Sequence, residues 1–126
     1  MFLRGVRGAI SVEQDQPEEI LAAASELLAA ILQANPALRP EDLASVIFTV
    51  THDLCSVHPA KAARQMGWTE VSLMCALEIP VPGALRRCIR VLLHWNTDVD
   101  QSAVHHVYLN GAIVLRPDLA LKDGVK

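Results

Sequence analysis

One stretch limits what this chain can become. Ile20, Leu21, Ala24, Leu27, Leu28, Ile31 and Leu32 recur at helical spacing and stop at Asn35-Pro36. Most of the other long apolar runs have the alternation or the β-branched content of a strand. A single long amphipathic helix can cover only one face of a sheet. The 126 residues offer no Pro/Gly/Ser-rich linker, and 52% of them are hydrophobic, so residues 1–126 read as one domain with its own core. The expected architecture is α/β (α+β): a mixed sheet of five or six strands, one long helix, and short helices. Several strands look apolar on both sides, which makes self-association the natural cover for the second face.

Along the chain, residues 2–12 alternate. Leu3, Gly5, Arg7, Ala9 and Ser11 share one face, and Phe2, Arg4, Val6, Gly8 and Ile10 the other, so Arg4 and Arg7 point oppositely. Asp15 with Glu18 three residues later is a capping-box-like start for the long helix. After Pro40-Glu41-Asp42, residues 44–51 are apolar and β-branched almost throughout, as in a strand covered on both faces. Strand, helix, strand predicts a crossover unit. Pro59 opens a brief helix, PAKAARQM, closed by Gly67, and residues 70–76 return to strand before Pro80, Pro82 and Gly83 break the chain. In residues 88–96 the odd positions Ile89, Val91, Leu93 and Trp95 form an apolar face, and Arg90 lies on the other. Asn110-Gly111 between VYL and AIVL predicts a hairpin, with Arg116-Pro117-Asp118 opening a flexible tail over 117–126.

A formal charge of −3 with scattered Lys and Arg argues against a sequence-independent grip on nucleic acid or an anionic membrane surface, both of which need clustered cations. No apolar run approaches the roughly 20 residues of a membrane span, and the first segment lacks the features of a secretory signal, so a cytoplasmic protein is expected. Cys55, Cys75 and Cys88 are odd in number and lack CxxC spacing, which points to reduced thiols. Cys55 or Cys75 could serve as a nucleophile beside a histidine, yet no activating signature accompanies either, and isolated cysteines behave as small hydrophobes. The five histidines show no ligand spacing, and no Gly-rich loop opens a helix. Neither a metal nor a cofactor is expected.

Three arginines do stand out: Arg7 in FLRGVRGAISV, Arg90 in CIRVLLHW and Arg116 in AIVLRPDL. A guanidinium remains ionised and is rarely buried unpaired, so three such residues in apolar runs of an acidic chain point to a small anionic ligand. Taken singly, each is equally a snorkelling or salt-bridged residue at a strand end. Glu78 reads as a solvated edge residue or as a counter-ion to an arginine. Tyr108 reads as a packed aromatic or as a ligand contact.

The segments RGVRGAISVE, HPAKAAR, Cys75 with Glu78, RRCIRV and HHVYLNGAIVLRPDL, in this order, resemble the monofunctional mixed α/β class of chorismate mutase, distinct from the all-helical class. The likeness runs from Arg4 to Leu119. It implies a homotrimer whose sheets form a pseudo-barrel, with active sites in clefts between subunits. It also implies a cofactor-free rearrangement of the dianion chorismate to prephenate, in phenylalanine and tyrosine biosynthesis. Arg7, Cys75, Glu78, Arg90 and Tyr108 are then expected from one subunit, and His58, Lys61 and Arg64 from the neighbour. Leu115 and Arg116 are expected in a tail that closes over the site. In this assignment Arg90 addresses the ether oxygen, Arg7 and Tyr108 a carboxylate, and Glu78 and Cys75 the ring hydroxyl. The pattern differs at His58, where phenylalanine is more usual, and around Asp100 and His105, where proline and a basic residue are common. Strict alternation sets Cys75 and Glu78 on opposite faces, so their meeting at one ligand requires a bulge or strand end near Pro80. Two other readings remain open: a trimeric imine or enamine deaminase of the Rid type, and a non-catalytic module that binds a carboxylate metabolite.

Overall fold

The computed structural model describes residues 1–115. Arg116 and the tail 117–126 lie outside the described residues. Among the described residues five strands form one sheet: β1 (Phe2–Ser11), β2 (Leu43–Val50), β3 (Ser72–Leu77), β4 (Cys88–Thr97) and β5 (Val107–Leu109), in the order β3-β2-β4-β1-β5. β4 pairs antiparallel with both β1 and β2, whereas β3 joins β2 and β5 joins β1 in parallel. The expected crossover unit is therefore split. β1 and β2 run parallel through α1 (Pro17–Ala34), but β4 lies between them.

Alternation decides which side of the sheet is dry. Val6 and Ile10 of β1, Val46 and Phe48 of β2, and Ile89, Val91, Leu93 and Trp95 of β4 bury one face. Against it lie Ile20, Ala23, Leu27, Leu28 and Ile31 of α1 and Ala60 and Ala63 of α2 (Ala60–Gln65). Gly67, in a left-handed conformation with φ of 90°, ends the turn after α2 as expected. Among the described residues no α-helix lies on the opposite face; only the 3₁₀ turns of Asn110–Leu115 pack there, through Ala112 against Ala9 and Cys88. Within one chain, Ser45, Ile47 and Thr49 of β2 are only partly buried there, so this face of the strand is left for whatever packs on it from outside the chain. Phe2, Leu3, Met74 and Leu77 are exposed.

Two local expectations need correction. Asp15 does not cap α1. Gln16 occupies that position without a side-chain cap, and the amides of Glu13 and Gln14 donate instead to Glu19, at 2.5 and 3.2 Å. The Asp15 carboxylate has turned to the loop after β2, accepting from the Cys55 and Ser56 amides at 3.1 Å each and from the Cys55 thiol at 3.3 Å. The Ser56 hydroxyl foremost, with the other donors, holds the Asp15 carboxyl below its ordinary pKa, and in return Asp15 pushes the Cys55 thiol up. Asn110-Gly111 does not make a hairpin either. Asn110 has the positive φ (56°) that suggested one, but β5 pairs with β1 and residues Asn110–Leu115 wind into 3₁₀ turns. The reason is a distant partner: Ser11 accepts from the Gly111 amide at 2.8 Å, and its carbonyl accepts from Asn110 Nδ2 at 3.2 Å.

The start of β4 is pinned from the end of β2. Arg87 sits at φ 46°, unusual for a residue with a side chain. Its amide donates to both oxygens of Asp53 at 3.1 Å, and the Thr51 hydroxyl donates to Asp53 at 2.5 Å. Partial burial pushes the Asp53 carboxyl up, but these hydrogen bonds outweigh it and hold the group below its ordinary value.

Asp53 thus stabilises the fold above its unfolded pKa, and the contribution is lost as pH falls through the lower folded value. Asp53→Ala is expected to cost about 1–2 kcal/mol in urea unfolding at neutral pH, with the gap to the native sequence narrowing below the carboxylate range. A constant gap at all pH values would contradict this role. At Gly8 an added Cβ would stand 2.9 Å from Ile31 and 3.1 Å from both Leu27 and the Val107 carbonyl. Because that carbonyl belongs to the β1–β5 ladder, Gly8→Ala is expected to lower stability by about 1–3 kcal/mol, read as a fall in Tm.

Candidate active site

The sheet face turned away from α1 and α2 holds a cleft of about 280 Å³ lined by Arg7, Gly8, Ile47, Thr49, Glu78, Arg90, Val91, Leu92, Tyr108 and Leu115. Its geometry follows from the ladders. Arg7 stands opposite Leu92 and Ala9 opposite Arg90, so Arg7 and Arg90 are diagonal neighbours on one face of the β1–β4 pair. Thr49 stands directly opposite Arg90 on β2. Ala9 stands opposite Tyr108 on β5, which brings the phenol to the same cleft.

Glu78 follows the last residue of β3, and its amide still bonds the Val50 carbonyl. Its carboxylate accepts the Thr49 hydroxyl and lies 3.7 Å from Arg90 Nε. That distance is an ion pair, not a hydrogen bond, and Arg90 Nε is buried with no hydrogen-bond partner among the described residues. Arg90 therefore keeps donor capacity in the cleft while Glu78 fixes its orientation. Among the described residues two guanidinium groups and one carboxylate line the cleft, an excess of one positive charge. An anion with acceptors on more than one side fits such a place.

Leu115 reaches the cleft because a small second core lies under it. Ala9, Cys88 and Ala112 are fully buried, with Leu85, Tyr108 and Leu115 packed around them. Burial pushes the Cys88 thiol up, against the opposing pull of Arg90, so it is a packing group and not a thiolate.

The residues predicted from sequence divide into two sets. Arg7, Glu78, Arg90, Tyr108 and Leu115 converge on the cleft, while Arg116 lies outside the described residues. Cys75 does not join them. Glu78 continues the alternation of Met74 and Ala76 with no bulge, so Cys75 remains on the opposite face, beside Phe48 and packed on the main core. There it lines a separate cleft with Val50, Leu54, Val57, His58 and Pro59. Lys61 and Arg64, on α2, are exposed and line neither cleft. Thr49, Ile47, Leu92 and Gly8 were missed by sequence reasoning. Their signal was available only through register, because Thr49 matters by standing across from Arg90.

Among the described residues no group of three or more His, Cys, Asp or Glu could hold a metal ion, and no helix is long and apolar enough to cross a membrane.

The family model described as chorismate mutase type I matches residues 3–119. The chorismate mutase AroH of Thermus thermophilus is 58% identical over 118 residues, covering 94% of this chain and 97% of the relative. The chorismate mutase AroH of Bacillus subtilis is 46% identical over 122 residues, covering 96% and 95%. A solved chorismate mutase from Clostridium thermocellum superposes with a TM-score of 0.85 at 50% identity, covering 87% of this chain and 97% of that one.

Proposed function

This chain belongs to the chorismate mutase type I family and is an isomerase that converts chorismate to prephenate, and we propose that the cleft of Arg7, Glu78, Arg90 and Tyr108 is where it does so. The rearrangement is pericyclic. An ether C–O bond breaks while a C–C bond forms, and no proton is transferred. The protein's task is to hold the substrate in its compact chair-like conformer and to stabilise the negative charge that grows on the ether oxygen.

The observation that carries this assignment is the buried Arg90 Nε, held beside Glu78 with no hydrogen bond of its own. In our reading Arg90 donates to the ether oxygen and a neighbouring carboxylate, Arg7 and Tyr108 hold a carboxylate of the enolpyruvyl arm, and Glu78 accepts from the ring hydroxyl. The magnitudes fit. A rate gain of about 10⁶ needs roughly 8 kcal/mol off the barrier. One preorganised donor supplies about 2.7–4 kcal/mol, and conformer selection can supply much of the rest.

The complete site in this reading is shared between subunits of a cytoplasmic homotrimer. Three features support that arrangement. Among the described residues one sheet face carries no α-helix, apolar residues on β1 and β3 are exposed, and β3 is a sheet edge. Cys75 and His58 share a cleft away from Arg90, so we assign Cys75 to the half-site contributed by the neighbour, together with His58, Lys61 and Arg64. This revises the assignment of Cys75 to the Arg90 side. Arg116, following Leu115, is assigned to closure over the substrate.

Mixing the purified protein with chorismate and following loss of its ultraviolet band with formation of prephenate tests the assignment. Arg90→Ala is expected to lower kcat by about 10²–10³. Lys61→Ala and Arg64→Ala are expected to act chiefly on KM, through capture of the dianion. Equal kcat losses in all three variants would contradict these roles.

A further inference from the structure

The β1–β5 ladder is short, with register pairs at Gly8–Val107, Ala9–Tyr108 and Ile10–Leu109. One residue before it begins, a side chain takes over the pairing. The backbone N–H of Arg7 donates to Nδ1 of His106 at 3.0 Å. Acceptance at Nδ1 requires a lone pair there, so the ring carries no proton on that nitrogen. His106 therefore ties β1 at Arg7 to the strand that carries Tyr108, two residues further on.

The strap is also fixed upstream. Asn35, at the C-cap of α1, is 4% exposed. Its Oδ1 accepts the His105 amide at 2.9 Å, and its Nδ2 donates to the His105 carbonyl at 2.9 Å and to the Ile31 carbonyl at 2.9 Å. A buried side-chain amide with all these bonds made is a rigid anchor. The end of α1 thus fixes residue 105, and the next residue fixes the backbone of Arg7.

We propose that His106 is a positioning residue for the isomerisation, setting the Arg7 guanidinium and the Tyr108 phenol in the relative geometry that grips one carboxylate. This rests on the assignment of Arg7 and Tyr108 to the substrate cleft. His106 acts through the Arg7 backbone. A shift of about 1 Å at a substrate-holding group can cost on the order of 100-fold in rate, and a three-residue parallel ladder gives β1 few other bonds to β5.

The test is a double-mutant cycle with a conservative rescue and a direct view of the bond. His106→Leu is expected to lower kcat/KM by about 10–100-fold. His106→Asn, which can place its Oδ1 where Nδ1 stood, is expected to remain close to the native enzyme. In an Arg7→Ala background, His106→Leu is expected to cost about twofold or less, because its effect passes through a side chain already gone. Equal losses for Leu and Asn, or the full Leu cost repeated in the Arg7→Ala background, overturn the proposal. Native-like kinetics for Arg7→Ala alone would instead overturn the cleft assignment. Should the leucine variant not fold, the folded native protein still decides: nitrogen-labelled NMR should show a scalar coupling across the Arg7 N–H···Nδ1 bond, and its absence overturns the proposal.

Discussion

Two like charges held on one face of a sheet are the constraint on which everything else in this molecule turns. The β1–β4 register sets Arg7 and Arg90 as diagonal neighbours, where they repel. The ladder can hold them so because the reverse face of the same strands is packed into the main core: Val6, Ile10, Ile89, Val91 and Leu93 anchor it against α1. Slipping the register by one residue would relieve the repulsion but would turn that apolar set toward the cleft. Core packing thus sustains an electrostatic arrangement that isolated strands would avoid. Glu78, steadied by Thr49, offsets only part of the positive charge. The remainder suits a dianionic substrate, and the side of the cleft facing away from the helices is open to receive it.

The same division explains what the amino-acid sequence revealed. Period-two alternation from Ile89 to Trp95 and helical spacing from Ile20 to Leu32 are local signals with large burial behind them, and the fold follows both. The left-handed stop at Gly67 is likewise local. Asn110-Gly111 and Asp15 misled because their partners are remote in sequence. Ser11 captures the turn, and residues 55 and 56 capture the carboxylate. A hairpin or a cap is favoured only when no distant group offers better bonds. The register-dependent residues of the cleft were invisible for a related reason. Nothing in ASVIFTVT marks Thr49 until β2 is aligned with β4.

Cys75 teaches the opposite lesson. Its parity already separated it from Glu78, and a bulge was invoked to bring them together. The strand runs on without one, and Cys75 remains with His58 on the far side. Local geometry was the better guide. One chain then presents two clefts of different character. The first is cationic and rigid, built across four strands. The second is an apolar cleft with His58 and the nearby exposed cations of α2. Under the proposed assignment, this separation of preorganised donors from capturing cations would let transition-state stabilisation and substrate affinity respond to different residues.

The central claim is that Arg90 works as an oriented fork and not merely as a positive charge. Steady-state kinetics of Arg90→Lys test it most directly, since lysine keeps the charge and loses the planar set of donors. A fall in kcat of about 100-fold or more is the expected result. A kcat within a few-fold of the native enzyme would show that charge alone suffices and would contradict the account.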